Sequence, residues 1–224
     1  MCTGPARYSR PCAACRNSPG WRLDHHPPFL PLRVATVMTL SPPASLPSPQ
    51  ELERERLDFL NGLGIIDTPP EARIDAVTRA AADYFKVPAA LVTLIDSDSQ
   101  WIKSSTGMTD FHVPRDISFC HHTIQRLRLL VVENALDDPR FCDNPLVRNP
   151  PHVRFYAGAP LVVGGRYRLG SFCLIDDIPR TLDEKGRARL WQYARTVSGL
   201  IEELYMPAAS AAPEEPPLPA RRYS

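Results

Sequence analysis

Residues 155–176 constrain the fold more than any other stretch. Phe155–Val163 and Tyr167–Asp176 are two long runs rich in strand-forming residues, and Gly164-Gly165 between them suits a primed hairpin turn. The sheet they belong to is mainly antiparallel. Ala89-Ala-Leu-Val-Thr-Leu-Ile95 is shorter and wholly apolar except for Thr93, and it is fenced by Pro88 and by Asp96-Ser-Asp-Ser99. That pattern predicts a central strand buried on both faces. Gln100–Ser105 answers it as a hairpin partner, and Leu129–Glu133 predicts a further short strand.

Helices flank these strands. Ser48-Pro49-Gln50-Glu51 has the form of a capping box with proline at the first helical position, and it opens a helix with Leu52, Leu57, Phe59, Leu60 and Leu63 on one broad side. The same device at Thr68-Pro69-Pro70-Glu71 predicts a second helix, through Ile74, Val77, Ala81 and Tyr84 to Lys86. A third box, Thr181-Leu-Asp-Glu184, precedes Leu190, Ala194, Val197, Ile201 and Leu204, which step by three and four residues. This seam has two readings: packing on the domain's own sheet, or pairing with a second subunit. The fold class is α+β.

Proline sets the domain limits. Ten of the 25 prolines fall in residues 1–50 and five in 206–224, so the expected organisation is a Pro/Arg-rich disordered leader (1–50), a domain (51–205) and a disordered Pro-rich tail (206–224). Met38-Thr-Leu-Ser reads as an ordinary N-terminus, so the true start is expected at Met38. Residues 51–205 carry 19 Lys and Arg against 22 Asp and Glu, a mildly acidic balance without the basic footprint of a nucleic-acid binder. No apolar run approaches bilayer length, and no secretion signal is read. Cysteine usage points to reduced thiols, with Cys120, Cys142 and Cys173 in the domain, and so to the cytoplasm. Cys12-Ala-Ala-Cys15, followed by His25 and His26, lacks a second pair of suitably spaced ligands, so no metal site is expected.

Several strings go further than composition does. They are Leu63-Gly-Ile-Ile-Asp-Thr-Pro-Pro-Glu71, Val92-Thr-Leu-Ile-Asp96, Gln100-Trp-Ile-Lys-Ser104, Pro114-Arg-Asp-Ile-Ser-Phe-Cys-His-His122, Asp138-Pro-Arg-Phe141, Asp143-Asn-Pro-Leu146, Arg154-Phe-Tyr-Ala-Gly-Ala-Pro160 and Leu169-Gly-Ser-Phe-Cys-Leu-Ile-Asp176. Together they resemble the GAF domain, the small-molecule sensor module of bacterial signalling proteins. The branch resembled is often found with histidine kinases and diguanylate cyclases, or as short stand-alone proteins. The resemblance implies a mainly antiparallel sheet of about six strands, with the terminal helices on one face and a ligand pocket on the other.

Placing the matching strings on that ligand face makes Trp101, Phe119, Cys120, His121, Arg140, Asp143, Arg154 and Tyr156 the expected pocket residues. If Asp116 or Ser118 caps a short helix, Cys120 lies in its first turn, where exposed N–H groups lower a thiol's pKa. A packed, inert thiol is nevertheless the expectation. The Asp137–Pro145 connection suits a lid but is also plain turn and cap chemistry, and Arg154 either anchors an anion or pairs with Asp143.

Free methionine sulfoxide reductases use the same fold with three cysteines, which makes a thiol-based reductase using Cys120, Cys142 and Cys173 the alternative activity. The flanking residues do not resemble those of bilin-binding relatives, and the motif of cyclic-nucleotide-binding relatives is missing. No nucleophile, base and orienter are connected by spacing, and no Gly-rich phosphate loop is visible. The expectation is a sensor rather than an enzyme, with the cofactor unknown. It binds an unidentified small molecule, pairs as a homodimer through the terminal helices, and acts on a histidine kinase or diguanylate cyclase in trans.

Overall fold

The structure, a computed structural model, describes residues 47–108 and 113–206. The leader up to residue 46, with Cys12, Cys15 and Met38, and the tail from residue 207 lie outside the described residues. In chain order the elements are α1 (Pro49–Leu63), α2 (Ala72–Phe85), β1 (Ala89–Ile95), β2 (Ser99–Thr106), β3 (Val113–Pro114), a 3-10 helix (Arg115–Ile117), α3 (Phe119–Ile124), β4 (Leu130–Val132), α4 (Pro145–Arg148), β5 (Phe155–Val163), β6 (Tyr167–Asp176) and α5 (Glu184–Tyr205). The strands form one six-stranded sheet in the order β3-β2-β1-β6-β5-β4, every neighbouring pair antiparallel. The α+β class holds.

Period-two alternation divides the molecule into two layers. Along β1, Ala90, Val92 and Leu94 face a core shared with α1, α2 and α5, whereas Ala89, Leu91 and Ile95 face a second core under α3 and the 134–154 connection. The terminal helices therefore lie on one face, as the resemblance implies. Close approach of β1 and β6 needs Gly170: a Cβ there would sit 1.8 Å from the Thr93 carbonyl oxygen.

The β5–β6 turn differs slightly from the expected dipeptide. Val163 pairs with Tyr167, so Arg166 joins the two glycines in a three-residue turn, with φ of 60° at Gly164 and 72° at Gly165. The turn is held from both terminal helices. A Cβ on Gly164 would meet the Phe59 ring of α1 at 2.8 Å, and the Gly164 N–H donates to the Glu202 carboxylate of α5 at 2.8 Å.

Two helix starts are corrected. Ser48 caps α1 with the full capping box, as expected. For α2, however, Glu71 and not Thr68 is the N-cap, and Thr68 Oγ1 instead donates to the Ile65 carbonyl. Proline disfavours helical backbone in the residue before it, so Pro70 keeps Pro69 from being the first helical residue. For α5, Asp183 rather than Thr181 accepts the Gly186 N–H, at 2.7 Å, with Leu182 buried beside it. The α5 seam takes its first reading: Leu190, Ala194, Val197 and Ile201 are buried in the domain's own core, leaving Leu204 at the rim. Among the described residues no helix is long and apolar enough to cross a membrane.

Candidate functional site

The chemistry-bearing residues collect around α3. Ser118 caps this helix by accepting the His121 N–H at 3.1 Å, and its own hydroxyl donates to Gln100 on β2 at 2.6 Å. Cys120 thus sits in the first turn, 2% exposed and facing the sheet. Its Sγ lies 3.8 Å from that of Cys173 on β6, and the Tyr156 hydroxyl donates to it at 3.5 Å. Tyr156 is further tied to Thr123 at 2.7 Å and to Ser171 at 3.3 Å. Burial pushes the Cys120 thiol up, but the donors Cys173, Ser171, Thr93 and Tyr156 outweigh it and hold this thiol below its ordinary value. Contact with Cys120, together with burial, pushes Cys173 well above. Phe141, from the connection, stacks on Phe119 with centroids 4.1 Å apart and closes this layer.

The eight expected pocket residues do not all converge. Phe119, Cys120 and Tyr156 meet in the second core. Trp101 faces the opposite layer, beside Lys103, because sequence alternation says which residues share a face but not which face they share. Arg140 pairs with Asp138 and lies over Phe141, and this guanidinium holds the Asp138 carboxyl below its usual range. Asp143 pairs with Arg148, not with Arg154. Arg154 instead donates to the carbonyls of Val147, His152 and Val153, strapping the loop to the start of β5. Asn144 caps α4 and donates to the Ile117 carbonyl, so the Asp/Asn-Pro cluster serves as turn and cap chemistry. Of the three domain cysteines, Cys120 and Cys173 touch while Cys142 stays half-buried on the connection. Among the described residues no group of His, Cys, Asp and Glu has the makings of a metal site.

His121 points the other way, into a cleft of about 520 Å³ between α1, α3 and the start of β6. Its wall holds four arginines, Arg56, Arg115, Arg166 and Arg168, against two carboxylates, Glu53 and Glu55. Glu53 binds two of the arginines at once: Arg56 at 2.8 Å and Arg115 at 2.7 Å. Although burial alone would raise it, hydrogen bonds from these two guanidinium groups bring the Glu53 pKa down to about 2. Arg56 also donates to the Ile95 carbonyl and Arg115 to the Asp96 carbonyl, so the clamp anchors α1 to the end of β1. Arg115 Nε donates to His121 Nδ1 at 3.0 Å, which makes this imidazole an acceptor there, and Gln125 Nε2 lies 2.9 Å from its Nε2. Burial and the neighbouring Arg115 charge hold its pKa down.

Sequence reasoning found His121 but missed the arginines. The one signal available was Arg166-Tyr-Arg168, charges at alternate positions at the turn and the start of a strand otherwise rich in apolar residues.

The family model for the GAF domain matches residues 69–199. The chain belongs to the GAF domain family. A curated relative of this GAF protein, a cyclic di-GMP phosphodiesterase of Pseudomonas aeruginosa, is 38% identical over 162 residues, covering 72% of this chain and 27% of the relative. The chain therefore spans about a quarter of that relative's length. Among solved structures, the GAF domain of a phosphoenolpyruvate-protein phosphotransferase from Coxiella burnetii superposes with a TM-score of 0.50 at 13% identity, over 70% of this chain and 96% of that one. A free methionine-R-sulfoxide reductase from Neisseria meningitidis, solved with its substrate, gives a TM-score of 0.49 at 17% identity, over 70% and 93% respectively. These structural likenesses concern the fold alone.

Proposed function

We propose that this GAF domain is a sensory module in signal transduction that answers a small molecule held in the cleft between α1 and α3. The carrying observation is the Glu53 clamp, which ties the cleft wall to α1 through Arg56 and Arg115. A ligand that bridges α1 and the rest of this wall shifts the population between clamped and released arrangements of α1 toward the clamped one. The change reaches an output partner, such as a histidine kinase, a diguanylate cyclase or a phosphodiesterase of the kind the curated relative is named for, or a second copy of the chain. Because the α5 seam is filled by its own sheet, such pairing uses the outer sides of α1 and α5. Native mass spectrometry of the protein from its own host tests the reading. A retained small molecule that slows amide exchange in α1 and α3 supports it; a ligand-free protein whose α1 exchanges alike in every condition refutes it.

A second reading, a thiol-based reductase, draws on the 3.8 Å contact between Cys120 and Cys173. Mild peroxide followed by a thiol count separates the two: loss of one thiol pair favours the reductase, and an unchanged count removes it.

A further inference from the structure

The cleft combines three properties that together specify a ligand class. First, its positive charge exceeds its negative charge, and the surplus is located. Arg56 and Arg115 are committed to Glu53, whereas Arg168 donates through Nε to the Ile124 carbonyl and has no carboxylate within ion-pair distance among the described residues. A guanidinium so placed keeps its outer nitrogens for an acceptor that is not a side chain of the domain. Second, Arg166 is bound at the surface, to the Glu55 carboxylate and the Tyr167 hydroxyl. It pairs with Glu55 across the surface at 2.9 Å, both groups well exposed, an arrangement of the kind that contributes little to stability and exchanges readily. Its guanidinium lies 4.6 Å over the Tyr167 ring, so turning toward an anion uncovers an aromatic face. Third, the wall has an apolar side: Leu52 is 50% exposed on α1, and the Tyr167 ring is backed by Phe59 at 4.2 Å. A bare tetrahedral anion leaves such a wall, and most of about 520 Å³, unused.

We infer that the cleft binds a phosphate monoester of a flat organic body, the phosphate held by Arg168 and Arg166 and the body laid between Leu52 and Tyr167. This rests on the sensory reading above and names the chemistry of its ligand. Two guanidinium forks match a phosphate bidentately, and the planar body gains the contact that Arg166 vacates. The site is separate from the thiol layer on the sheet side of α3.

The test is calorimetric titration of the full chain with AMP, adenosine and inorganic phosphate at about 50 mM salt, where surface electrostatics are least screened. AMP is expected to bind about ten-fold more tightly than either comparator. Arg166→Gln, at an exposed turn position, is expected to weaken AMP about five-fold with an unchanged melting temperature, and Arg168→Gln to weaken it further. Leu52→Ser is expected to weaken AMP but not inorganic phosphate. Equal affinity for AMP and inorganic phosphate, meaning an adventitious ion only, overturns the inference. So does AMP binding that neither arginine variant alters, or no AMP binding at about 1 mM. If a neutral molecule retained from the host slows exchange in α1 and α3, the sensory reading stands and this ligand class falls. If no bound molecule affects α1 or α3, both fall.

Discussion

Glu53 is the residue through which the cleft is most exposed to pH. Its folded pKa, about 2, lies below the ordinary value of 4.5, so its contribution to stability is fully present above that ordinary value and is lost as pH falls toward 2. After allowance for solvent screening of a side chain that is about a third exposed, the loss is about 1–2 kcal/mol. Glu53→Gln is expected to lower the unfolding free energy at pH 7 by that amount and to flatten the acid limb between pH 4.5 and 2, as followed by circular dichroism in urea melts. The thiols show access winning over acidity. Cys120 is the more acidic of its pair yet buried, and Cys142 is half-buried. Of Cys120, Cys142 and Cys173, iodoacetamide at pH 7 is expected to modify Cys142 first, as mass mapping of the native protein will show. Faster labelling of Cys120 would mean that α3 opens readily.

At the scale of elements, α5 gives the sharpest test. Val197 and Ile201 are fully buried against the sheet. Val197→Glu is therefore expected to cost about 3 kcal/mol or more through an unpaired buried carboxylate, and to unfold the monomer rather than merely separate a dimer. Urea melts read together with light scattering distinguish the two outcomes.

Elements were also where the sequence was most legible. The bounds of β1, β5 and β6 follow from apolar runs ended by proline, glycine and aspartate, signals local to the strand. The two-residue β3 carries no period to read, and the starts of α2 and α5 turned on Pro69-Pro70 and on which of Thr181 and Asp183 reaches the helix. The candidate site was less legible for a different reason. Its arginines come from positions 56, 115, 166 and 168, and no local pattern marks a residue that matters only after three distant segments meet. Trp101 was misplaced by the twofold ambiguity of a strand's faces, and Arg154 by the many carbonyls a loop offers.

On the scale of the whole molecule, Lys103 joins parts that the cleft does not reach. It is 4% exposed on β2, and its ammonium donates to Thr68 Oγ1 and the Pro69 carbonyl, both at 2.7 Å, while lying 5.3 Å from the Tyr205 ring at the end of α5. One side chain thus holds the sheet, the α1–α2 connection and the last turn of α5 together. Lys103→Met is expected to cost about 1–3 kcal/mol by removing the ammonium donor from the Pro69 carbonyl and leaving Thr68 Oγ1 only the Tyr205 hydroxyl at 3.4 Å. Amide exchange at residues 201–205 is expected to quicken while β5 and β6 stay protected. Uniform quickening would instead mean that the whole domain had been weakened.

The hairpin tip at Gly164 has a practical consequence. Tips of exposed hairpins are usually the places where a chain accepts an inserted tag or a circular permutation. This one is gripped by Phe59 from α1 and by Glu202 from α5, and it carries Arg166 into the cleft. Extra residues there would prise both terminal helices from the sheet. A reporter for this domain is better spliced into the exposed segment around Leu127, which lies outside that grip.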